Sequence, residues 1–267
     1  MLPVVGYPGG KRRLAVTICD LLCAKQGWIR YTEPFVGMGA VYLAMRARGY
    51  WGSAVLADTN VGVREFWRMV HREPHKLLRA AEALRPALTP DDYRQLAADT
   101  PRDPHDAVAR FLWLTNYAYG NTPPVWREGP KWQSVSGTKL TSSDTRNQTF
   151  PWSDCLERLR ELAERLPLFS EQTHVVESWR TAAKLSHANT MNYLDPPYRD
   201  TDPTNYGDMP PDLMEVVRAF KGEFVVSESS EMAFPSWWSV RVCMVAGRQS
   251  HGTGRQDKRV ERLYWSF

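Results

Sequence analysis

The sequence is poor in cysteine, has no long apolar run and carries little excess charge of either sign. Four cysteines in 267 residues, at positions 19, 23, 155 and 243, are too few for a disulfide scaffold. The close pair, Cys19 and Cys23, falls in a helical pattern, and all four read as reduced thiols. No apolar run approaches the roughly 18 residues that span a membrane. The chain reaches Lys11-Arg12-Arg13 without first building a signal-peptide core. A cytoplasmic protein with no membrane partner is therefore expected. Lys+Arg total 34 against 30 Asp+Glu, and the net charge of +4 permits a nucleic-acid partner without demanding one. Repeats and low-complexity tracts are missing too. No metal is expected, because Pro74 breaks the helix that would aim His71 and His75 together and no other His/Cys cluster occurs. What is present is enough length for a sizeable core, as one large domain or as a domain plus an insert. The 11 tryptophans could serve that core or a stacking surface.

The order of elements is more informative. Lys11 to Gln26 carries Leu14, Ile18, Leu21 and Leu22 at helical spacing and closes at Gly27. Trp28 to Val36 is short and β-rich and runs into Gly37-Met38-Gly39-Ala40. From Gly39 a helix with Val41, Leu43, Ala44 and Ala47 ends at Gly49, and Ser53 to Ala57 is an apolar strand ending at Asp58. Strand, glycine turn, helix, strand and acid open a doubly wound α/β sheet. Residues 62 to 119 change to helical segments punctuated by prolines at 74, 86, 90, 101 and 104. Residues 120 to 151 have no periodicity and hold four basic residues with Trp126 and Trp132. So long an irregular stretch is usually functional or disordered. A helix over Ser153 to Leu166, opened by a serine cap, restores the rhythm with Cys155, Leu159 and Leu162 on one face. Strands at Thr173 to Glu177, Thr190 to Leu194 and Glu223 to Ser227 follow, with a helix at Pro211 to Phe220. Further strands near Trp238 to Val245 and Arg259 to Phe267 end the chain, and Lys258 to Arg262 reads as a solvated strand face. The expectation is one α/β domain from residues 1–61 and 152–267, with a mostly helical insert over 62–151.

Three constellations carry chemistry. In Glu33-Pro34-Phe35-Val36-Gly37-Met38-Gly39-Ala40, glycines after a strand let backbone N–H groups approach a ligand. Asp58, 21 positions beyond Gly37, could accept ribose hydroxyls. Tyr42 stands where a dinucleotide fingerprint has its third glycine, so an S-adenosylmethionine site or an ordinary strand-to-helix turn fits better. In Asp195-Pro196-Pro197-Tyr198 the prolines fix the backbone and remove two donors. The Asp195 carboxylate and the Pro196 carbonyl then form two acceptors beside the flat face of Tyr198, which suits the exocyclic amine of a flipped-out base. A strand-ending turn would read the same. In Tyr7-Pro8-Gly9-Gly10-Lys11, the glycines allow close approach and Lys11 adds a point charge suited to a carboxylate, unless the segment is a flexible basic arm.

In this order the three motifs resemble the Dam-type DNA adenine-N6 methyltransferases of the D12 class, alpha group. That family carries an aromatic-x-Gly-Gly-Lys start, Glu-Pro-Phe-x-Gly-x-Gly-Ala, an acid after the second strand, a target-recognition insert and Asp-Pro-Pro-Tyr. The resemblance extends to Ala109-Arg-Phe-Leu-Trp-Leu114. It then departs: the family often has Phe-Asn-Gly followed by Arg and Asn, where this chain has Tyr119-Gly120-Asn121-Thr122-Pro123-Pro124. A GATC target is therefore not implied.

The resemblance implies a Rossmann-like S-adenosylmethionine-dependent methyltransferase fold with a helical target-recognition insert. It implies transfer of a methyl group from S-adenosyl-L-methionine to adenine N6 in double-stranded DNA by base flipping. The cofactor would be held by Tyr7, Gly10, Lys11, Glu33, Pro34, Phe35, Gly37, Gly39, Asp58 and Asp195. The catalytic set would be Asp195, Pro196, Pro197 and Tyr198. Asn116, Asn121, Trp126, Arg127, Lys131, Trp132 and Arg146 are the candidates for meeting DNA. A monomer or weak dimer on DNA is expected, and a partner nuclease, as in restriction-modification, is left open. No cysteine follows a proline, so a covalent mechanism lacks a thiol. Other readings are a cytosine-N4 methyltransferase, an adenine methyltransferase for RNA or single strands, and a degenerate fold that only binds DNA.

Overall fold

The computed structural model describes residues 1–87, 89–126, 132, 134–140, 151–197, 212–229, 231–249 and 256–267. Seven strands form one sheet: β1 Arg30–Glu33, β2 Ser53–Ala57, β3 Thr173–Val176, β4 Thr190–Leu194, β5 Glu223–Glu228, β6 Ser239–Gln249 and β7 Gln256–Trp265. Their order is β3-β2-β1-β4-β5-β7-β6. The first five pair in parallel, and β7 enters antiparallel between β5 and β6. The chain builds outward from β1 to β2 and β3, then returns to β4 on the other side of β1. That reversal opens a crevice at the carboxyl ends of β1 and β4, where ligands bind in doubly wound sheets. The Rossmann-like fold class expected from the motif order is thus the fold of the chain.

Two apolar layers cover the sheet. One includes Ile18 and Leu22 of α1 (Ala15–Ala24), Leu43 of α2 (Ala40–Ala47), Phe66 and Trp67 of α3 (Val61–Arg72), Leu77 of α4 (Pro74–Glu82), Phe111 of α6 (Pro104–Tyr117) and Leu159 of α7 (Trp152–Arg165). The other gathers Trp179 and Ala182 of α8 (Trp179–Lys184), Leu213 and Val216 of α9 (Leu213–Ala219), and Val226 and Tyr264 of the sheet. The short helix α5 (Pro90–Ala98) packs on α6 and is opened by a reciprocal cap between Thr89 and Asp92. Pro74, Pro90 and Pro104 each stand at the first position of a helix, where the missing N–H costs nothing.

Several boundaries differ from the sequence reading. α1 begins at Ala15 rather than Lys11, because Gly9 has φ 70° and the Gly10 N–H bonds back to the Tyr7 carbonyl at 3.1 Å. β1 stops at Glu33, since Val36 already turns across to bond the Ala57 carbonyl at 3.0 Å. α7 starts at Trp152 after Pro151, with no side-chain cap bond, so the serine cap at Ser153 is incorrect. Helix α8 has no counterpart in the sequence pattern; Ser178 caps it by accepting from the Thr181 N–H at 3.2 Å. In and beside 120–151, isolated antiparallel bridges join Ala118 to Thr138 and Val125 to Ser134. No helix among the described residues is long and apolar enough to cross a membrane.

Candidate functional site

The turn between β1 and α2 is held from below and behind. Gly37 and Gly39 have φ of 47° and 63°, which side-chain-bearing residues rarely adopt. A Cβ on Gly39 would lie 2.3 Å from the Trp67 ring, so only glycine fits. The same indole donates to the Gly37 carbonyl at 2.8 Å, and the Tyr7 ring covers Gly37 on another side. Asp58, one residue past β2, accepts the Gly37 N–H at 3.0 Å through one oxygen and the Asn60 N–H at 2.9 Å through the other. Burial pushes its carboxyl up to about 6, against the opposing pull of those N–H groups and of Arg64. An ionised carboxylate has about four acceptor positions, so these bonds do not exhaust it. Pro34 is buried, Phe35 packs partly into the second apolar layer, and Gly10 is exposed.

At the adjacent strand ends a charged cluster replaces the glycine turn. Lys11 reaches into the crevice, with its ammonium 2.7 Å from Asp195 Oδ1, 3.4 Å from Glu261 Oε1 and 2.9 Å from the Gly9 carbonyl. Its side chain is only 7% exposed. Burial lowers its pKa, but Asp195 and Glu261 outweigh that and leave it raised. Glu33, at the end of β1, accepts from the Tyr31 hydroxyl at 2.8 Å and the Tyr42 N–H at 3.0 Å. Burial drives its carboxyl up to about 8, with the negative charge of Asp195 adding to the effect and the two donors opposing it. Pro196 is buried and Pro197 half-buried.

The structure therefore brings Tyr7, Lys11, Glu33, Gly37, Gly39, Asp58 and Asp195 to one edge of the sheet. It also adds Glu261 of β7, where the sequence alone suggests a solvated face. Glu261 is 9% exposed and turned toward Lys11. Its motif-poor surroundings hold no signal; only the antiparallel entry of β7 carries it to this edge.

The segment from Asn116 to Trp126 adjoins the same edge. The Asn60 amide donates to the Pro124 carbonyl at 3.3 Å, and Gly6 packs against the Asn121 side chain. Asn121 has φ 58°, and its amide donates to the Thr115 carbonyl at 3.3 Å. Asn116 and Asn121 are both buried, so they lie behind the loop surface. Trp126 and Trp132 are half-buried and meet edge to face at 5.4 Å. Tyr119, by contrast, is 71% exposed. Tyr198, Arg127, Lys131 and Arg146 lie outside the described residues. His71 turns inward to the Tyr42 hydroxyl at 3.1 Å and the Leu166 carbonyl at 3.0 Å, and burial lowers it to about 4.

A family model described as D12 class N6 adenine-specific DNA methyltransferase matches residues 7–215, from the Tyr7 turn to α9. No curated protein matches the chain. Two solved structures match the chain at low identity. One, provisionally titled the methyltransferase yhhF from Escherichia coli, is 11% identical with a TM-score of 0.39, covering 98% of this chain and 90% of that one. The other, from Haemophilus influenzae and provisionally titled a methylase, is 10% identical with a TM-score of 0.39, covering 98% and 92%.

Proposed function

The chain belongs to the D12 class N6 adenine-specific DNA methyltransferase family, and from that premise we propose that it methylates an adenine turned out of duplex DNA, using S-adenosyl-L-methionine. The observation that carries the reading is the meeting of Asp195, Lys11, the Gly37–Gly39 turn and Asp58 at the strand-order reversal.

The residues present fit such a donor. Two glycines let the turn close tightly between Tyr7 and Trp67, and Asp58 retains acceptor capacity for ribose hydroxyls while fastened to the turn. Tyr7 covers the turn. Lys11, paired with Asp195 and Glu261 and bonded to the Gly9 carbonyl, fixes the Asp195 carboxylate at this edge. Bound there, S-adenosyl-L-methionine supplies an electrophilic methyl group on a sulfonium.

The chain's own part is to prepare the nucleophile. The lone pair of adenine's amino nitrogen is delocalised into the ring. Two acceptors, the Asp195 carboxylate and the Pro196 carbonyl, hold its hydrogens so that a pyramidal nitrogen is favoured and its lone pair is directed in line. The nitrogen becomes cationic on gaining the methyl group and must then give up one of its two hydrogens; the anionic Asp195 carboxylate beside it would stabilise that charge and take the proton on its way to water. Tyr198 stacks on the flipped base, worth on the order of 1 to 3 kcal/mol, and offsets the few kcal/mol of unpairing. In the insert, exposed Tyr119 is better placed to stack than half-buried Trp126 and Trp132.

The test is to incubate DNA with the protein and labelled cofactor, digest the product and identify the modified nucleoside. N6-methyladenine is expected; N4-methylcytosine would move the acceptor. Asp195→Ala should abolish methylation while cofactor or DNA binding largely survives. A variant that still methylates at the wild-type rate removes Asp195 from the catalytic step.

A further inference from the structure

Glu261 reaches the site through topology. Because β7 runs antiparallel, its early residues lie at the carboxyl edge of the parallel strands. Arg262 pairs with Glu228, the last residue of β5, and Glu261 is one step further out. Alternation turns Glu261 to the same face as Leu263, which packs into the apolar layer shared with α1. Lys11 approaches from the turn preceding α1. Glu261 and Asp195, 66 residues apart in sequence, therefore meet one ammonium.

We propose that Glu261 is a positioning residue for methyl transfer: by sharing Lys11 it fixes the ammonium and preserves Asp195 as a strong, oriented acceptor. This rests on the function proposed above. An ammonium has three N–H donors. Here Gly9, Asp195 and Glu261 each place an acceptor within 3.4 Å, so the ammonium is shared among them rather than turned wholly onto Asp195. Without Glu261 the ammonium could turn more fully onto Asp195, compete for the oxygen meant for the amine and neutralise the carboxylate. With it, the three side chains carry a net charge of −1, and the Lys11 field is divided between two anions. The cluster is buried, with side-chain exposures of 7%, 15% and 11%. Water therefore screens the division poorly. The raised pKa of Lys11 despite burial agrees with both acids acting on it. Glu261 also lies beyond the residues matched by the family model, so no motif assigns it this part.

Two measurements test the inference on the full chain. In steady-state methylation, Glu261→Gln should lower kcat about tenfold, a barrier increase of about 1.4 kcal/mol, with KM for cofactor and DNA within about twofold. Glu261→Asp, which keeps the charge but withdraws it by one methylene, should recover part of the loss. It carries the same test should the amide variant fold poorly. In cofactor-free protein, competitive acetylation with peptide mapping should show Lys11 modified several-fold faster in Glu261→Gln than in wild type. Wild-type kcat in Glu261→Gln, or a change confined to KM, overturns the positioning role, and unchanged Lys11 labelling overturns the shared ammonium. If the wild-type protein leaves adenine unmethylated, the proposed function fails first, while the labelling still decides whether Glu261 holds Lys11.

Discussion

Glu33 and Lys11 are both buried at the same sheet edge, yet their pKa values rise for opposite electrostatic reasons. Burial disfavours both charged forms. Lys11 overcomes this because two carboxylates face it, whereas at Glu33 burial and the like charge of Asp195 prevail over the donors from Tyr31 and Tyr42. The consequence is a pH dependence of stability. With its carboxyl raised from 4.5 to about 8, the native Glu33 holds its proton through a window in which the unfolded chain has released it. The native state binds more protons there, so this contribution is fully present below about pH 4.5 and is lost as pH rises through about 8. Glu33→Gln keeps an oxygen to accept from Tyr31 and Tyr42 but cannot titrate. Urea midpoints of the cofactor-free variant should therefore fall less between about pH 5 and pH 8 than those of wild type. Equal slopes for the two proteins would mean that Glu33 does not carry the buried proton. Asp58, raised to about 6, titrates in the same direction and leaves a smaller slope in both.

Helix α3 shows how one element serves another. Its amphipathic pattern is legible in the sequence, and so is the break at Pro74, because apolar spacing and proline geometry are local properties. What Trp67 does is not legible there: its ring fills the space a Cβ on Gly39 would need, and its N–H holds the Gly37 carbonyl. The glycine turn is thus shaped by the insert-side helix as well as by its own sequence. Trp67→Phe keeps most of the packing and removes the hydrogen bond. It should cost about 1 kcal/mol of stability and weaken cofactor binding more than it weakens DNA binding. Thermal unfolding and separate titrations of the two ligands check this, and equal losses for both would detach Trp67 from the cofactor turn. The shifted boundaries have the same origin. Local pattern puts Lys11 in a helix because the apolar spacing after it is helical. Its side chain instead serves ion pairs made across the fold, and the preceding Gly9 turn delays the helix to Ala15.

Across the whole molecule, a net charge of +4 understates how charge is distributed. Residues 120–151 hold four basic against two acidic residues, and Lys11 to Arg13 adds another basic run. Of these, Lys11 is committed to Asp195 and Glu261 and is buried away from DNA phosphates. Electrostatic attraction for DNA should therefore depend strongly on the insert. Replacing Arg127, Lys131 and Arg146 together by Gln should weaken DNA binding at low salt. The slope of log affinity against log salt should also flatten by about 0.9 for each phosphate that these side chains neutralise in the wild type. Fluorescence anisotropy over a salt series measures both, and unchanged affinity and slope would take these residues off the DNA. Modest attraction suits an enzyme that must leave its product.

Read along the chain, the residues already specified the strands, the glycine turn, the acids at strand ends and the order that identifies the family, because each depends on neighbours within a turn or a strand. The assembled sheet added what depends on distant pairing. It buried Asn116 and Asn121, set Trp67 beneath Gly39 and brought Glu261 to Lys11. That last meeting exists because β7 entered the sheet antiparallel, between β5 and β6. Strand register is settled by burial on both faces of a sheet, and no local pattern around Glu261 encodes which ammonium it will meet.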